Sequence, residues 1–333
     1  MKTIARLLCA ALAACALAHA SPAPASAPKV LRYAFRVAET SFDPAALSDL
    51  YSRIVTGHIF EGLYGYDPLA RPARIRPLVA AGMPEIGNDF RTFVVHIKPG
   101  IFFADDPAFG GKPRELVAQD FVFALERVAD PATRSPNWAS LNQNNILGLA
   151  ALREHALETH TPFDYDAPVP GLRATGRYTL RIELAEPRPR FVEILAQGDI
   201  YGAVAREVAQ AYGTAIGAHP VGTGPFQLVE WRRASRIVLA RNPAYREVTY
   251  DAQPADDDVA GQALLAKFKG RRLPMIDRVE ISIIENEQPR WLSFVNGDAD
   301  FIERVPESFI DIAMPGGQLA RTCRKSTSRR GAS

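Results

Sequence analysis

Histidines and cysteines are the residues best able to do chemistry in this chain, and their spacing gives no recognisable metal site. The chain has six histidines and three cysteines. His155 and His160 are separated by five positions, which places them about 140° apart around a helix, so they do not share a ligand face. Zinc proteases place two histidines four positions apart. The sequence therefore predicts neither a metal nor a cofactor.

Motifs for covalent or phosphate chemistry are also missing. No G-x-S-x-G turn, which would expose a nucleophilic serine, occurs in the sequence. Cys323 lies in a basic tail without structural pattern, and the other cysteines lie in an apolar N-terminal run. The glycines near residues 110 and 222 lack the spacing of a P-loop or a dinucleotide fingerprint. We therefore expect no enzyme; a hydrolase with an unrecognised site is the alternative.

One short stretch is unusually rich in backbone constraints. The sequence HPVGTGPFQLVEW, residues 219–231, places two prolines and two glycines within six residues. The prolines fix their own φ angles. Gly222 and Gly224 permit backbone angles that side chains forbid, or the close approach of another group. The stretch is either a rigid turn that leads into a strand or a turn with a function, and local sequence does not decide between them.

Apolar periodicity predicts the elements that surround this turn. Alternation predicts strands in KVLRYAF, RTFVVHIKPG, RYTLRIELAEP, FQLVEW, SRIVLARN and RVEISII. A 3.6-residue period predicts an amphipathic helix in ELVAQDFVFALERVADP that ends before Pro131. Further helices are predicted in DLYSRIVTGHIF, FVEILAQ, AREVAQAYG and QPRWLSFVNG, the last ending at Gly297. Strands and helices mix without a regular βαβ rhythm, which predicts a complex α/β or α+β fold.

The N-terminus has the features of an export signal. A basic start and an apolar run precede the small residues AHA, which predict cleavage after Ala20. The run LAAC also resembles a lipobox, in which case Cys15 would carry a lipid. Residues 1–20 are therefore a predicted signal peptide, and residues 21–28, rich in Pro, Ala and Ser, a flexible leader. The mature protein is expected in the periplasm, either soluble or lipid-anchored.

The charge distribution argues against nucleic acid as a partner. Outside residues 1–20 and 321–333 the chain has 32 basic and 37 acidic residues, a net charge of −5. A mildly acidic body does not favour a phosphate backbone. Residues 321–333 include five basic and no acidic residues, which predicts either a disordered basic tail or the end of a truncated reading frame.

Several motifs, in this order, resemble the extracellular solute-binding proteins of family five, the peptide- and nickel-type binding components of ABC importers. HPVGTGPFQLVEW followed by SRIVLARNPAYR is similar to the hallmark of the family. FEGLYGYDP, RPLVAAGMPEIGNDFRTFVVHIKPGIFFAD and LVAQDFVFALERVADP are similar to its earlier segments. The resemblance covers about residues 30–310. It implies an α/β, periplasmic-binding-protein-like fold of type II, with two lobes and a hinge.

The resemblance also implies a division of the chain. Residues 29–63 and 219–285 would form the core of lobe one, and residues 64–218 an inserted subdomain. Lobe two would begin at residues 286–320 and be largely missing, which implies a C-terminal truncation. The chain would then be a working binding component or a non-functional remnant. Residues that hold peptide termini in relatives belong mostly to the missing lobe, so none is carried over.

The implied function is that of the substrate-binding component of an ABC importer. Such a protein captures peptides or similar small molecules in the periplasm and delivers them to a membrane permease and its ATPase. Membrane contact would occur only through the permease or a lipid on Cys15. The loop after the first strand and the glycine turn form the expected ligand face, with an ordinary surface loop as the alternative. The candidate ligand-binding residues are Glu39, Thr40, Phe42, Gly222 and Thr223.

Overall fold

The computed structural model describes residues 27–87 and 89–320. The predicted signal peptide, Cys15, all but two residues of the leader and the tail at 321–333 lie outside the described residues. Numbered in chain order, the described strands are β1 (Val30–Phe35), β2 (Tyr64–Tyr66), β3 (Ile75–Pro77), β4 (Glu85–Ile86), β5 (Thr92–His96), β6 (Leu172–Gly176), β7 (Thr179–Glu183), β8 (Phe226–Arg232), β9 (Arg236–Arg241), β10 (Val248–Thr249), β11 (Arg272–Leu273) and β12 (Arg278–Ile283). The described α-helices are α1 (Leu50–Ile59), α2 (Ala118–Ala129), α3 (Trp138–Asn142), α4 (Leu149–Thr159), α5 (Phe191–Leu195), α6 (Gly198–Tyr201), α7 (Arg206–Tyr212), α8 (Val259–Phe268), α9 (Glu287–Asn296) and α10 (Ile310–Ala313).

The first four-stranded sheet joins distant parts of the chain in the order β1-β12-β9-β8. Strand β1 pairs with β12 in parallel, with Val30 opposite Arg278 and Phe35 opposite Ile283. Strands β12, β9 and β8 are antiparallel neighbours, and β8 and β9 form the hairpin that the sequence predicts. Because β1 and β12 are parallel, their carboxyl ends meet at one edge of the sheet.

The second four-stranded sheet is antiparallel, in the order β4-β5-β7-β6. Its two central strands show the predicted alternation, with Phe93 and Val95 of β5 and Leu180 and Ile182 of β7 buried. Helix α2 packs against β6 and β7. The predicted helix is present as α2 and ends before Pro131. Because α2 also contacts other helices, all but one of its residues are buried.

Each of the two sheets lies within one of the regions into which the sequence analysis divides the chain. The domain boundaries themselves stay a prediction. The strands of the first sheet lie within residues 29–63 and 219–285, and those of the second lie within residues 64–218. The largely polar residues 245–274, between the predicted strands SRIVLARN and RVEISII, form β10, β11 and α8. Asp258 caps α8 by accepting a hydrogen bond from the Gly261 N–H at 2.9 Å.

The segment 286–320, which the sequence predicts to be the start of a second lobe, contacts the first sheet. Part of the segment 286–320 lies along the outer edge of β1, where Phe301 forms a parallel bridge with Tyr33. The Asp300 N–H donates to the Arg32 carbonyl at 2.8 Å, and the Arg32 N–H donates to Asp300 Oδ2 at 2.8 Å. The physical reason is that this edge of β1 would otherwise leave backbone groups without partners.

The glycine turn packs directly on the end of helix α1. A Cβ atom on Gly222 would lie 2.0 Å from the Ile59 carbonyl oxygen, and one on Gly224 would lie 2.6 Å from it. The Gly224 N–H donates to that oxygen at 2.8 Å, and the Ala104 N–H donates to the Gly222 carbonyl at 2.9 Å. Neither glycine has a left-handed φ. Close approach, rather than unusual backbone angles, is therefore what requires glycine here.

The alanine variant Gly222→Ala is expected to lower the free energy of unfolding by about 1–3 kcal/mol, because the new methyl group overlaps a helix carbonyl that cannot move freely. Gly82→Ala is the control, because a Cβ there meets no atom within 4 Å. Urea unfolding of both variants checks the prediction. Equal stability of the two variants would contradict the close packing.

Glu126 is a buried carboxyl group on α2 that gives the fold a specific pH dependence. Its side chain is 3% exposed, and Oε2 has no hydrogen-bond partner among the described residues. Burial raises the pKa of Glu126 from 4.5 to about 8. The folded state therefore keeps a proton that the unfolded chain releases, so this contribution to stability is complete below pH ~4.5 and is lost as the pH rises towards ~8.

Glu126→Gln stays neutral at every pH and should remove this loss. We expect the variant to exceed the wild type in free energy of unfolding by about 1–3 kcal/mol at pH ~8, with the difference vanishing at pH ~4. Denaturant unfolding at the two pH values measures it, with Glu158→Gln on the exposed face of α4 as the control. If the free energies of unfolding of Glu126→Gln and wild type differ by the same amount at both pH values, ionisation of the Glu126 carboxyl group is not the cause of the pH dependence.

Candidate functional site

The carboxyl ends of β1 and β12 form an edge of the type that binds ligands in α/β sheets. After Phe35 the chain bends at Arg36 and Val37, and the Val37 side chain is 53% exposed. The backbone groups of Val37 and Ala38 make no hydrogen bond to any residue in the described ranges. This short segment therefore presents free backbone donors and acceptors beside the sheet, which are the groups that bind peptide backbones.

A cluster of hydroxyl groups and one carboxylate fixes the arginine at this edge. Glu303 accepts hydrogen bonds from the hydroxyl groups of Tyr33 at 2.5 Å and Tyr51 at 3.0 Å. Arg36 Nε donates to the Tyr51 hydroxyl oxygen at 3.0 Å and lies 3.6 Å from Glu303 Oε2. Burial raises the pKa of Tyr51, and burial together with Glu303 raises the pKa of Tyr33. Both phenols therefore remain donors at neutral pH.

Next to this cluster lies a shallow, open depression whose enclosed part has room for about one water molecule. One wall comes from β1, a second from helix α9 and a third from the segment that returns along β1. Its lining includes Ala34, Arg36, Glu287, Arg290, Glu303 and Arg304.

Two predicted ligand-binding residues are buried. Glu39 is 4% exposed, and its Oε1 accepts hydrogen bonds from Trp231 Nε1 at 2.5 Å and from the Ala234 N–H at 3.1 Å. Phe42 is 0% exposed, and its ring centroid lies 4.6 Å from that of Trp231. These side chains hold the β8–β9 hairpin against the loop and do not face solvent, so their role in binding a ligand is not supported.

The other predicted residues lie at the two ends of α1. Thr40 is exposed beside the start of the helix, where its N–H donates to Ser52 Oγ at 3.0 Å. Gly222 and Thr223 are buried at the other end, near Ile59. At 1.5 Å per residue, about 10 Å of helix separates Ser52 from Ile59. The structure therefore does not bring Thr40 and the glycine turn together on one ligand face.

Several polar groups of the glycine turn have partners within the fold. The Thr223 hydroxyl donates to Glu61 Oε2 at 3.0 Å, and Glu61 binds Arg246 through two hydrogen bonds of 2.6 and 2.9 Å. The Gly224 N–H is occupied by Ile59, as described above. The Gly224 N–H is therefore not available to a ligand.

Sequence reasoning missed the cluster of Tyr33, Arg36, Tyr51 and Glu303. Its members come from β1, α1 and a segment more than 250 residues further along the chain. The position of Arg36 directly after a predicted strand was the one local signal. In the described part of the chain, no group of three or more His, Cys, Asp or Glu side chains is arranged to hold a metal ion.

A buried ion pair supports the loop that follows this edge. Arg127 of α2 donates to both carboxylate oxygens of Asp43, at 2.7 and 2.9 Å. Both side chains are less than a tenth exposed. The pair therefore anchors the loop of residues 39–43 to the helix that lies behind the second sheet.

Asp43→Ala is expected to lower the free energy of unfolding by about 3–5 kcal/mol, because it leaves the Arg127 charge buried without a partner. Glu193→Ala is the matched control, since it removes an exposed pair with Arg190 and should cost less than about 1 kcal/mol. Chemical unfolding compares the two variants. Similar losses would mean that the Asp43 pair adds no more stability than a surface pair.

Comparison with known proteins identifies the family of the chain. The model of the family described as "Bacterial extracellular solute-binding proteins, family 5 Middle" matches residues 74–325. The "Probable deoxycholate-binding periplasmic protein YgiS" of Escherichia coli K12 is 27% identical over 238 residues, which is 70% of this chain and 41% of that protein. The "Periplasmic oligopeptide-binding protein OppA" of Salmonella typhimurium LT2 is 28% identical over 207 residues, which is 62% of this chain and 34% of that protein.

A solved structure shows the same fold. The Escherichia coli murein tripeptide binding protein MppA superimposes with a TM-score of 0.65 at 22% identity, covering 87% of this chain and 49% of that one. The chain therefore spans about half of that structure and a smaller share of the two curated relatives. The predicted fold class, the α/β type II fold of periplasmic binding proteins, is confirmed. Family members are binding proteins rather than enzymes, and this chain belongs to the bacterial extracellular solute-binding proteins of family 5.

Proposed function

We propose that this chain is the substrate-binding component of an ABC importer that captures peptides in the periplasm and delivers them to a membrane permease and its ATPase. Membership of the solute-binding family is the observation that carries the proposal. Two of the similar proteins are named for peptides, namely oligopeptides for OppA and a murein tripeptide for MppA. YgiS is named for deoxycholate, so the test includes this bile acid as the alternative ligand.

The geometry of the β1 edge supports a peptide ligand. A peptide offers backbone N–H and C=O groups at regular spacing, and the free backbone of Val37 and Ala38 offers the complementary groups. Deoxycholate is a mostly apolar molecule with one carboxylate and two hydroxyl groups, so it offers no regular row of backbone donors and acceptors. It would favour a deep apolar pocket, whereas the depression beside Arg36 is lined largely by charged side chains.

Two separate observations support a periplasmic location for this protein. The N-terminal sequence predicts export, and the similar curated proteins are named as periplasmic. No helix in the described part of the chain is long and apolar enough to cross a membrane. A binding protein at this location meets its ligand before the permease does, and the permease would recognise the loaded form.

The absence of catalysis is also part of the proposal. The cluster at the β1 edge contains phenols, a guanidinium group and a carboxylate, and each is already hydrogen-bonded to another member. None is a serine or cysteine beside a histidine base, which is the arrangement that acyl transfer needs. Retention of an unmodified ligand is therefore the expected outcome of binding.

Amide NMR titration of the mature chain with tri-alanine and with deoxycholate tests the proposal. We expect tri-alanine to shift the amide signals of Val37 and Ala38 in a saturable manner and to be recovered intact. Shifts produced by deoxycholate but not by tri-alanine would overturn the peptide ligand. Cleavage of tri-alanine would instead support the hydrolase, and no shift with either ligand would support a non-functional remnant.

A pair of variants at one position tests the backbone contact. Val37→Pro removes the N–H donor, whereas Val37→Ala keeps the donor and shortens only the side chain. Loss of one hydrogen bond, about 1–1.5 kcal/mol, should weaken tri-alanine binding by about tenfold in Val37→Pro. Val37→Ala should change the affinity by less than about threefold. Equal affinities of the two variants would remove Val37 from the ligand contacts.

A further inference from the structure

Helix α8 is apolar on the side that faces solvent. Eight of its ten residues are apolar, yet only Gly261 is buried. The Val259 side chain is 82% exposed and that of Leu264 is 44% exposed. Val259, Ala263 and Ala266 are all exposed and share one face of the helix, since they follow one another at intervals of four and three residues. A helix that is apolar around most of its circumference is normally buried, so the outward face of α8 is a surface that a partner would cover.

The two ends of α8 carry opposite charges. Asp256 and Asp257 are exposed directly before the helix begins, and Lys267 and Lys269 are exposed where it ends. In the described part of the chain, none of these four side chains has an ion-pair partner within 4.0 Å. Arg271, which follows the lysines and is also exposed, adds to the positive end. Both groups of charges are therefore available to a partner that approaches the apolar face between them.

This pattern of charge is complementary to its own reverse. When two copies of α8 lie side by side in opposite directions, the aspartates of each copy meet the lysines of the other, and the two apolar faces meet between them. The same patch is then used on both copies, as a twofold axis requires. The antiparallel arrangement also places the positive end of one helix dipole beside the negative end of the other. A parallel arrangement would instead place like charges together.

An anionic lipid surface is the other occupant that the lysines could attract. Such a surface would bind the basic end of α8 but would repel Asp256 and Asp257, which are exposed at the other end. Helices that lie in a membrane interface present large apolar side chains such as Trp, Phe and Leu, whereas the outward face of α8 consists mainly of alanine. A second copy of the chain accounts for both charged ends, and a membrane accounts for only one.

We propose that α8 is the contact surface for a second copy of this chain, paired in the antiparallel direction across a twofold axis. This contact goes beyond the proposed function and does not depend on it. The face of the helix is about 15 Å long and about 10 Å wide, which is much less than the ~800 Å² that each partner buries in a standard interface. The pair is therefore weak and reversible, with a Kd on the order of 100 µM to 1 mM.

Sedimentation velocity of the mature chain at low salt, over protein concentrations that span this Kd, tests the proposal with a charge exchange. The double variant Lys267→Glu with Lys269→Glu has two acidic ends, and Asp256→Lys with Asp257→Lys has two basic ends. Each variant by itself should dimerise at least about tenfold more weakly than the wild type, because like charges meet at both ends. An equimolar mixture should dimerise at least as well as the wild type, because opposite charges meet again. Failure of the mixture to recover dimerisation would overturn the proposal.

A further pair of variants tests the apolar face. Ala263→Glu places a charge on the outward face of α8 and should weaken dimerisation at least about tenfold. Ala151→Glu, at an exposed alanine of α4, is the matched control and should leave it unchanged. A wild type that stays monomeric throughout, or association that no α8 variant alters, would overturn the proposal.

Co-sedimentation with phosphatidylglycerol vesicles tests the lipid surface. The proposal predicts that Lys267→Glu with Lys269→Glu leaves any vesicle binding unchanged. Vesicle binding that this variant abolishes, in a chain that remains monomeric, would overturn the proposal and assign α8 to an anionic membrane.

Discussion

The backbone carbonyl of Ile59, at the end of helix α1, is the point on which three parts of this structure are packed. Gly224 donates its N–H to that oxygen, and both glycines of the turn approach it more closely than a side chain would allow. The same turn receives a hydrogen bond from Ala104, which lies in the chain between β5 and α2. The turn thereby fixes α1 relative to both sheets, and α1 in turn carries Tyr51 to the candidate site.

Pairs of charged side chains also connect the parts of the chain that pack around Ile59. Asp43 and Arg127 connect the loop after β1 to α2, and Glu61 and Arg246 connect the end of α1 to the chain after β9. Each pair uses two parallel hydrogen bonds, which fix the relative orientation of the elements that they join. Glu126 differs, since burial without a partner raises its pKa to about 8. Glu126 therefore makes the stability of the fold depend on pH, whereas the paired groups fix the relative orientation of the elements that they join.

The candidate site depends on this framework rather than on any one element. The bend directly after β1 supplies Arg36, α1 supplies Tyr51, and the segment that returns along β1 supplies Glu303. None of these side chains would be held in place without the parallel pairing of β1 with β12 and the bridge between Tyr33 and Phe301. A solute-binding function fits such an edge, because free backbone groups and fixed charges lie within a few residues of each other.

The sequence by itself determined the elements whose signals are local. Alternating apolar residues in β5 and β7, the hairpin of β8 and β9, and the end of α9 at Gly297 were all predictable, because each pattern is complete within about ten residues. The family was also recognisable from the order of its motifs. Only the tertiary structure decided which side chains are exposed: Glu39 and Phe42, predicted to contact a ligand, are buried by Trp231. It likewise decided the contact between Tyr51 and Glu303, residues separated by 252 positions, because such contacts depend on how the sheets pack and leave no periodic trace in either local sequence.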